Sequence, residues 1–191
     1  MRARRRRPPG PAAIGSVLTF RNGHRVTLVD RGADAQGAYL RLEHVLPRIG
    51  RQAGPHWHPE ISETWTVRTG RVRFRIAGAE IVAGPGDTVT APPRVVHEFW
   101  NEANDTVMDH LIRPPLRHWE MFAFWSGLDT ANKTTTNKVP RNPLALGLLW
   151  EYQDGYLAGP PVFLQRLIFG GLAELARRTG YARRLLASTS A

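Results

Sequence analysis

The 191-residue sequence contains no cysteine. The chain therefore has no disulfide framework, no thiol nucleophile and no sulfur ligands for zinc or an iron–sulfur cluster. It has no apolar run of the roughly 20 residues that a membrane-spanning helix needs. It also lacks a glycine-rich phosphate loop, a dinucleotide-binding glycine motif and the Gly-x-Ser-x-Gly elbow of hydrolases. With 42% hydrophobic residues, it can still fill a core, and we expect a cytoplasmic protein without a membrane span.

The formal net charge of +10 is concentrated at one end of the chain. Five arginines lie between residues 2 and 7, which leaves +5 for all later residues (10 − 5). Residues 1–15 are also rich in proline, and we predict a disordered basic tail there. A signal peptide needs an apolar core after its basic start, and Gly10–Ser16 does not provide one. We expect no nucleic-acid partner, with contact between the tail and nucleic acid or an acidic membrane as the alternative.

Short β-strands are predicted throughout residues 16–115. Arg71–Ile76 alternates strictly between arginine and an apolar residue, which is typical of an antiparallel strand with one buried face and one wet face. Six further runs have strand character and are separated by Gly, Pro or Asn turns: Val26–Asp30, Ala38–Leu46, Glu63–Thr69, Thr88–Ala91, His97–Trp100 and Val107–Arg113. Many short strands at this spacing predict an all-β domain, either a sandwich or a barrel.

Helices are predicted for residues 116–191, after a Pro-Pro pair. Leu116–Leu128 is rich in aromatic residues at helical spacing, and both Pro143–Leu157 and Pro161–Arg178 carry a proline near the first turn. In the last segment an apolar stripe follows one helix face. We expect this extension to pack on the β-domain or on a partner subunit, with an interfacial membrane helix as the alternative.

Four residues form a candidate metal site. His56 and His58 are two apart, so on a strand their side chains point to the same face. Glu63 opens the next predicted strand toward the same cavity, and His97 begins a later strand. Three imidazoles and one carboxylate suit one divalent transition metal, which can be iron, manganese, nickel, zinc or copper. The alternative is a set of ordinary core side chains, but without a cation these buried polar groups would be unpaired.

These residues fall within two motifs that resemble those of the cupin family. The first motif is Gly, five residues, His-x-His, four residues, Glu, six residues and Gly, matched here by Gly50, His56, His58, Glu63 and Gly70. The second is Gly, five residues, Pro, one residue, Gly, two residues, His, three residues and Asn, matched here by Gly86, Pro92, His97 and Asn101. Arg94 replaces one glycine of the second motif, so this turn must hold a non-glycine residue, whose cation we expect at the barrel mouth.

The resemblance covers about residues 17–113 and has structural implications. It implies a cupin-type antiparallel jelly-roll barrel, here with a C-terminal α-helical extension. It also implies that the metal is held by His56, His58, Glu63 and His97, and that the protein is a homodimer.

The two-residue alternation of side chains along a strand predicts further residues around the site. His44 and His110 lie on the apolar faces of their strands, which makes them candidate catalytic acid or base groups, with packed core histidines as the equal alternative. A substrate pocket is predicted to be lined by Trp65, Val72, Phe74, Phe99 and Met108. For Trp65 a place in the core alone is the alternative. This lining favours an aromatic or polyketide-like substrate over a sugar phosphate. The histidines at positions 24 and 118 fall outside the pattern.

We therefore predict a metal-dependent enzyme that acts on a small organic molecule. Four ligands leave two positions of an octahedral ion open, which suits a chelating substrate or a substrate together with dioxygen. Dioxygenase chemistry is favoured slightly over cyclisation or isomerisation, which need only the Lewis acid and a base such as His44 or His110. A module that binds a small ligand without catalysis is the third alternative.

Overall fold

The computed structural model describes residues 12–182 and 184–185. Within these residues the predicted antiparallel jelly roll with a C-terminal helical extension is confirmed, because ten strands in two sheets precede the first helix. Of the predicted basic tail, residues 1–11 lie outside the described residues. The division of the chain at residues 15 and 115 stays a prediction.

Ten strands come first, and the helices follow together with one further short strand. The strands are β1 (Val17–Thr19), β2 (Arg25–Asp34), β3 (Gly37–Leu46), β4 (Gly50–Trp57), β5 (Ser62–Thr69), β6 (Val72–Ile76), β7 (Ala79–Ala83), β8 (Thr88–Ala91), β9 (His97–Asn101), β10 (Thr106–Arg113) and β11 (Tyr156–Leu157). The helices are α1 (His118–Thr130), α2 (Pro143–Tyr152), α3 (Val162–Gln165) and α4 (Gly171–Arg178), with a π-helical turn over Arg166–Gly170.

The two sheets share one interior. The first sheet has the order β1-β2-β3-β10-β5-β8, and the second has the order β11-β4-β9-β6-β7. All strand pairs in them are antiparallel, so consecutive residues alternate between the interior and the outer face. The sequence patterns did not predict the short strands β1, β7 and β11.

The burial pattern of the central strand β10 confirms the inner face that the two-residue alternation of strands predicts. It pairs with β3 on one side and β5 on the other, and its residues alternate between buried and half-buried. His110 lies opposite Leu42 on β3 and Trp65 on β5, while Met108 lies opposite His44. The interior of the first sheet therefore carries two histidines among apolar side chains.

The outward arginines of β6 are paired within their own sheet. Arg73 lies 4.2 Å from the ring centre of Trp100, and its Nε is 2.7 Å from a Glu102 oxygen. Arg75 pairs in the same way with Glu98, at 3.1 Å. The arginines on the solvent-facing side of β6 are therefore paired with nearby carboxylates.

The helical extension packs against the β-domain through α1. Trp119, Met121 and Phe122 of α1 share a buried cluster with inward residues of the first sheet, including Leu28 and Ile112. Helices α2 and α4 pack mainly on each other. Among the described helices none is long and apolar enough to cross a bilayer.

The prediction of one helix over Pro143–Leu157 is wrong at its end. Helix α2 stops at Tyr152, and Asp154 adopts a positive φ of 50° that a helix cannot contain. The chain then forms β11, which pairs with Trp57 and His56 on β4. Backbone pairing with an edge strand therefore replaces the last helical turn, and periodicity within the segment gives no sign of this partner.

Candidate metal centre

Two motifs from different strands meet at one point of the interior. His56 lies near the end of β4, opposite His97 at the start of β9. His58 follows β4, and Glu63 is the second residue of β5. One ligand atom from each of these residues lies within 4.8 Å of the others, so the structure groups the four predicted donors. We refer to them as the donor cluster.

The donor cluster is built around one carboxylate oxygen. Oε2 of Glu63 lies 2.7 Å from Nε2 of His97, 3.3 Å from Nε2 of His58 and 4.0 Å from Nε2 of His56. The side chains of His58, His97 and Glu63 are almost completely buried, whereas 13% of the His56 side chain is exposed. Solvent therefore reaches the cluster most directly beside His56.

The outer nitrogen of each cluster imidazole is held by a backbone carbonyl. Nδ1 of His56 contacts the oxygen of Gly54 at 2.7 Å, and Nδ1 of His97 contacts that of Val95 at 2.9 Å. Nδ1 of His58 contacts the oxygen of Asp154 at 3.2 Å. Because a carbonyl only accepts, each Nδ1 carries a proton, and each ring turns its Nε2 inward toward Glu63, as a metal ligand requires.

A buried nitrogen without a partner indicates what this arrangement fits. Nε2 of His58 has no hydrogen-bond partner among the described residues, although it is fully buried. Such an atom is costly in a core unless a further group satisfies it. Three imidazole lone pairs and one carboxylate oxygen directed at a common point fit a divalent transition metal.

The charges of the cluster suit this chemistry. Burial raises the pKa of Glu63, but the charge of His58 and contacts with neighbouring imidazoles outweigh it and hold this pKa well below its usual range. Burial lowers the pKa of His58, and the Glu63 carboxylate overcomes this, so the pKa of His58 is raised. Burial and the nearby His97 lower the pKa of His56 to about 3. An ionised carboxylate is thus kept inside the barrel.

The second oxygen of Glu63 faces two more histidines. Oε1 lies 3.0 Å from Nε2 of His110 and 3.4 Å from Nε2 of His118. His118 is the first residue of α1 and is 3% exposed. No spacing in the sequence marks His118 as part of the site, because its position depends on how α1 docks.

The two predicted acid or base residues lie at different distances from the donor cluster. His110 contacts Glu63 directly, whereas His44 lies behind His110, with its Nε2 3.2 Å from Nδ1 of His110. His24, which the sequence patterns did not single out, continues this line with its Nε2 3.1 Å from Nδ1 of His44. The acid or base role of His44 and His110 stays a prediction.

The residues predicted to line a pocket pack together beside the cluster. They are Trp65, Val72, Phe74, Phe99 and Met108. The ring of Trp65 stacks on that of His110 with 5.0 Å between centroids, and Phe74 stacks on Phe99 at 5.6 Å. The structure brings these side chains together, and their contact with a substrate stays a prediction.

The C-terminal extension covers the back of His58. Besides the Asp154 carbonyl, Gly155 packs so closely that a Cβ on it would lie 2.6 Å from Nδ1 of His58. Arg117 fixes this loop, because its backbone N–H donates to the Asp154 carboxylate at 3.0 Å and its guanidinium pairs with the same group. Residues outside the barrel therefore hold one imidazole of the cluster in place.

Comparison with known families gives one match. A family model described as a cupin domain matches residues 44–109. This range includes all four residues of the donor cluster and ends before the helices. Among curated proteins, none matches this sequence.

Several solved structures resemble about half of this chain. KdgF from a Halomonas species is 19% identical with a TM-score of 0.44, over 52% of this chain and 86% of that one. Streptomyces Pac13, described as a nucleoside dehydratase, is 16% identical with a TM-score of 0.42, over 56% and 82%. An RmlC-like cupin from Shewanella frigidimarina is 16% identical with a TM-score of 0.41, over 51% and 83%.

Proposed function

Because this chain carries a cupin domain, we propose that it is a metal-dependent enzyme for a small organic molecule. The proposed ligands of the cation are His56, His58, Glu63 and His97. The observation that carries this proposal is the convergence of their ligand atoms within 4.8 Å, with the outer nitrogen of every imidazole bound to a carbonyl. That bonding fixes each ring in the tautomer that a metal ligand needs.

The residues of the chain prepare the centre for chemistry. A divalent ion bound there supplies a Lewis acid and, if redox-active, dioxygen chemistry. The buried Glu63 offsets part of the cation's charge, and three neutral imidazoles complete a set that leaves two positions of an octahedron free. The half-buried His56 marks the side from which a substrate enters.

Dioxygenase chemistry is the reaction we favour. Four protein ligands would leave room on the cation for a substrate oxygen together with dioxygen, whereas cyclisation or isomerisation would need only the Lewis acid and one base. His110 contacts Glu63, whereas His44 does not reach the cluster. Metal-dependent isomerisation or cyclisation, with one of these two predicted bases, is the alternative.

An aromatic or polyketide-like molecule is the substrate class we propose. Support comes from the apolar and aromatic character of the side chains beside the cluster, although Trp65 is itself buried in the core, where it stacks on His110 and lies 5.8 Å from the His97 ring centre. Flat apolar molecules suit such walls better than phosphorylated sugars do.

We also propose that the protein is a cytoplasmic homodimer. An exposed apolar strip on the last helical segment supports the proposal of a dimer, since Phe163 is 72% exposed and Leu167 is 71% exposed. Exposed apolar side chains that cluster in this way mark a site of contact with another protein or with a membrane.

The metal centre is tested by substitution of a ligand. We expect His58→Ala to lose tight metal binding, because it removes one of the four donors and leaves the set incomplete. The measurement is metal content by elemental analysis after exhaustive dialysis. Glu60→Ala, which removes an exposed carboxylate two residues away, is the matched control and should keep full occupancy. Full occupancy in the His58→Ala protein would contradict the site.

The reaction class is tested on the iron-loaded protein. We expect dioxygen uptake with at least one member of a panel of catechols, flavonols and diketones. Exchange of substrate protons for deuterium without uptake would replace the dioxygenase by the isomerase or cyclase. Neither signal, with full iron occupancy, would favour a module that only binds its ligand.

A further inference from the structure

A line of buried histidines runs from the donor cluster through the first sheet. His110 on β10, His44 on β3 and His24 before β2 follow one another behind Glu63. Successive ring nitrogens lie 3.2 Å apart between His110 and His44 and 3.1 Å apart between His44 and His24. The three residues are 3%, 3% and 7% exposed. We refer to them as the histidine line.

Each contact in the histidine line holds one shared proton. In both contacts Nε2 of the outer ring faces Nδ1 of the next ring toward the cluster. A neutral imidazole has one N–H and one lone pair, so a proton on Nε2 in one ring requires a lone pair on Nδ1 of the next. Only two arrangements satisfy both contacts: all protons on Nε2, or all protons on Nδ1.

The carboxylate selects between these two arrangements. Nε2 of His110 lies 3.0 Å from Oε1 of Glu63, too far off the axis to form a straight hydrogen bond. A carboxylate oxygen only accepts, so a proton on this Nε2 is attracted and a lone pair is repelled. Since this bent contact is weak, the hydrogen bond from Nε2 of His44 to Nδ1 of His110 is needed to hold His110 in the arrangement that the carboxylate selects.

We propose that His44 and His24 are positioning residues that keep the proton of His110 on Nε2, directed at Glu63. In this arrangement the N–H of His110 points at Oε1 of Glu63. The other oxygen, Oε2, remains available to the donor cluster. His118 contacts the same outer oxygen at 3.4 Å and supports the same orientation. The inference rests on the proposed metal centre, for which a fixed single-oxygen carboxylate ligand is the expected benefit.

Burial keeps the histidine line in the neutral form that this arrangement needs. Desolvation lowers the pKa of His44 and of His24, the latter to about 3. Both rings therefore remain neutral near neutral pH. The direction of the line is then set by hydrogen bonding rather than by charge.

Two substitutions at position 44 separate positioning from packing. Leu in place of His44 removes the donor to Nδ1 of His110, while Gln places an amide N–H near the position of the lost Nε2. We expect His44→Leu to raise the zinc dissociation constant about tenfold, the lower end of the range for outer hydrogen-bond partners of metal ligands. His44→Gln should bind within about threefold of the parent protein. Val26→Ala, opposite His44 in register on β2, is the control for altered packing.

The tautomers give a readout that packing alone does not change. Two-bond proton–nitrogen correlation spectra of histidine-labelled, zinc-loaded protein should show the His110 proton on Nε2 in the parent and in His44→Gln. The His44→Leu protein should show a mixture of tautomers. A proton on Nδ1 of His110 in the parent, or identical zinc affinities for Leu and Gln, would overturn the inference. If the parent binds no zinc, the proposed metal centre fails, while the spectra of the metal-free parent still decide the direction.

Discussion

Gly155 lies directly behind the ring of His58. A Cβ there would meet Nδ1 of His58 at 2.6 Å and the carbonyl oxygen of Trp57 at 2.9 Å. Because these contacts are below 3.0 Å, an added Cβ would force its neighbours to move. Both neighbours lie at the end of β4 or just after it, where His56 and His58 of the donor cluster are located. This glycine is required by space alone, since its φ is not in the left-handed region.

We expect Gly155→Ala to weaken metal binding by about tenfold or more, because His58 must tilt away from the cluster. The measurement is the metal dissociation constant by calorimetry. Gly171→Ala is the matched control, since a Cβ at that position meets nothing within 4 Å. Equal affinities for the two variants would mean that the loop moves instead of the ligand.

Arg94 takes the place of a motif glycine in a turn with a positive φ. It occupies a turn with φ of 66°, as expected for a position where the motif has glycine. Its backbone N–H donates to the carbonyl oxygen of His58 at 2.7 Å. The turn therefore ties the segment before His97 to the segment after β4, although a side chain in this conformation costs about 1 kcal/mol. The position of its cation at the barrel mouth stays a prediction.

At the scale of elements, the strands could be predicted and the docking of the helices could not. The grouping of His56, His58, Glu63 and His97 follows from the two-residue period of strands together with the family spacing. Both are local properties that a sequence displays. The four donors were therefore identified without knowledge of the tertiary structure.

The parts of the site that were missed come from elements brought close by packing. His118 reaches Glu63 only because α1 lies against the first sheet, and the Asp154 carbonyl reaches His58 only because β11 pairs with β4. Neither contact has a periodic signal. The same reason explains why the helix predicted up to Leu157 ends early: the edge of β4 competes with the last helical turn.

Across the whole molecule, the histidines form one connected system. The sequence has seven histidines, at positions 24, 44, 56, 58, 97, 110 and 118. Three surround one oxygen of Glu63, two face its other oxygen, and two extend the histidine line. Burial lowers the pKa of four of them, at positions 24, 44, 56 and 110, so acid destabilises the fold because the unfolded chain protonates these imidazoles more readily.

His24 offers the clearest test of this acid sensitivity. Its pKa of about 3 in the folded protein lies below the ordinary histidine value of 6.5, because of burial and the nearby Lys138 charge. Its contribution is therefore complete above pH 6.5 and is lost as pH falls toward 3. Between pH 7 and pH 5 one such histidine reduces the free energy of unfolding by about 2 kcal/mol.

We expect His24→Gln to reduce this loss between pH 7 and pH 5 by about 2 kcal/mol relative to the parent protein. The remaining groups that face this position are His44 and Lys138, and they are unchanged in the variant. The measurement is urea unfolding of chelator-treated protein at both pH values, so that metal release does not contribute. The comparison between pH values removes any constant destabilisation caused by the lost stacking of His24 on Phe20. Parallel losses in parent and variant would show that His24 is protonated in the folded protein and that the histidine line is not neutral.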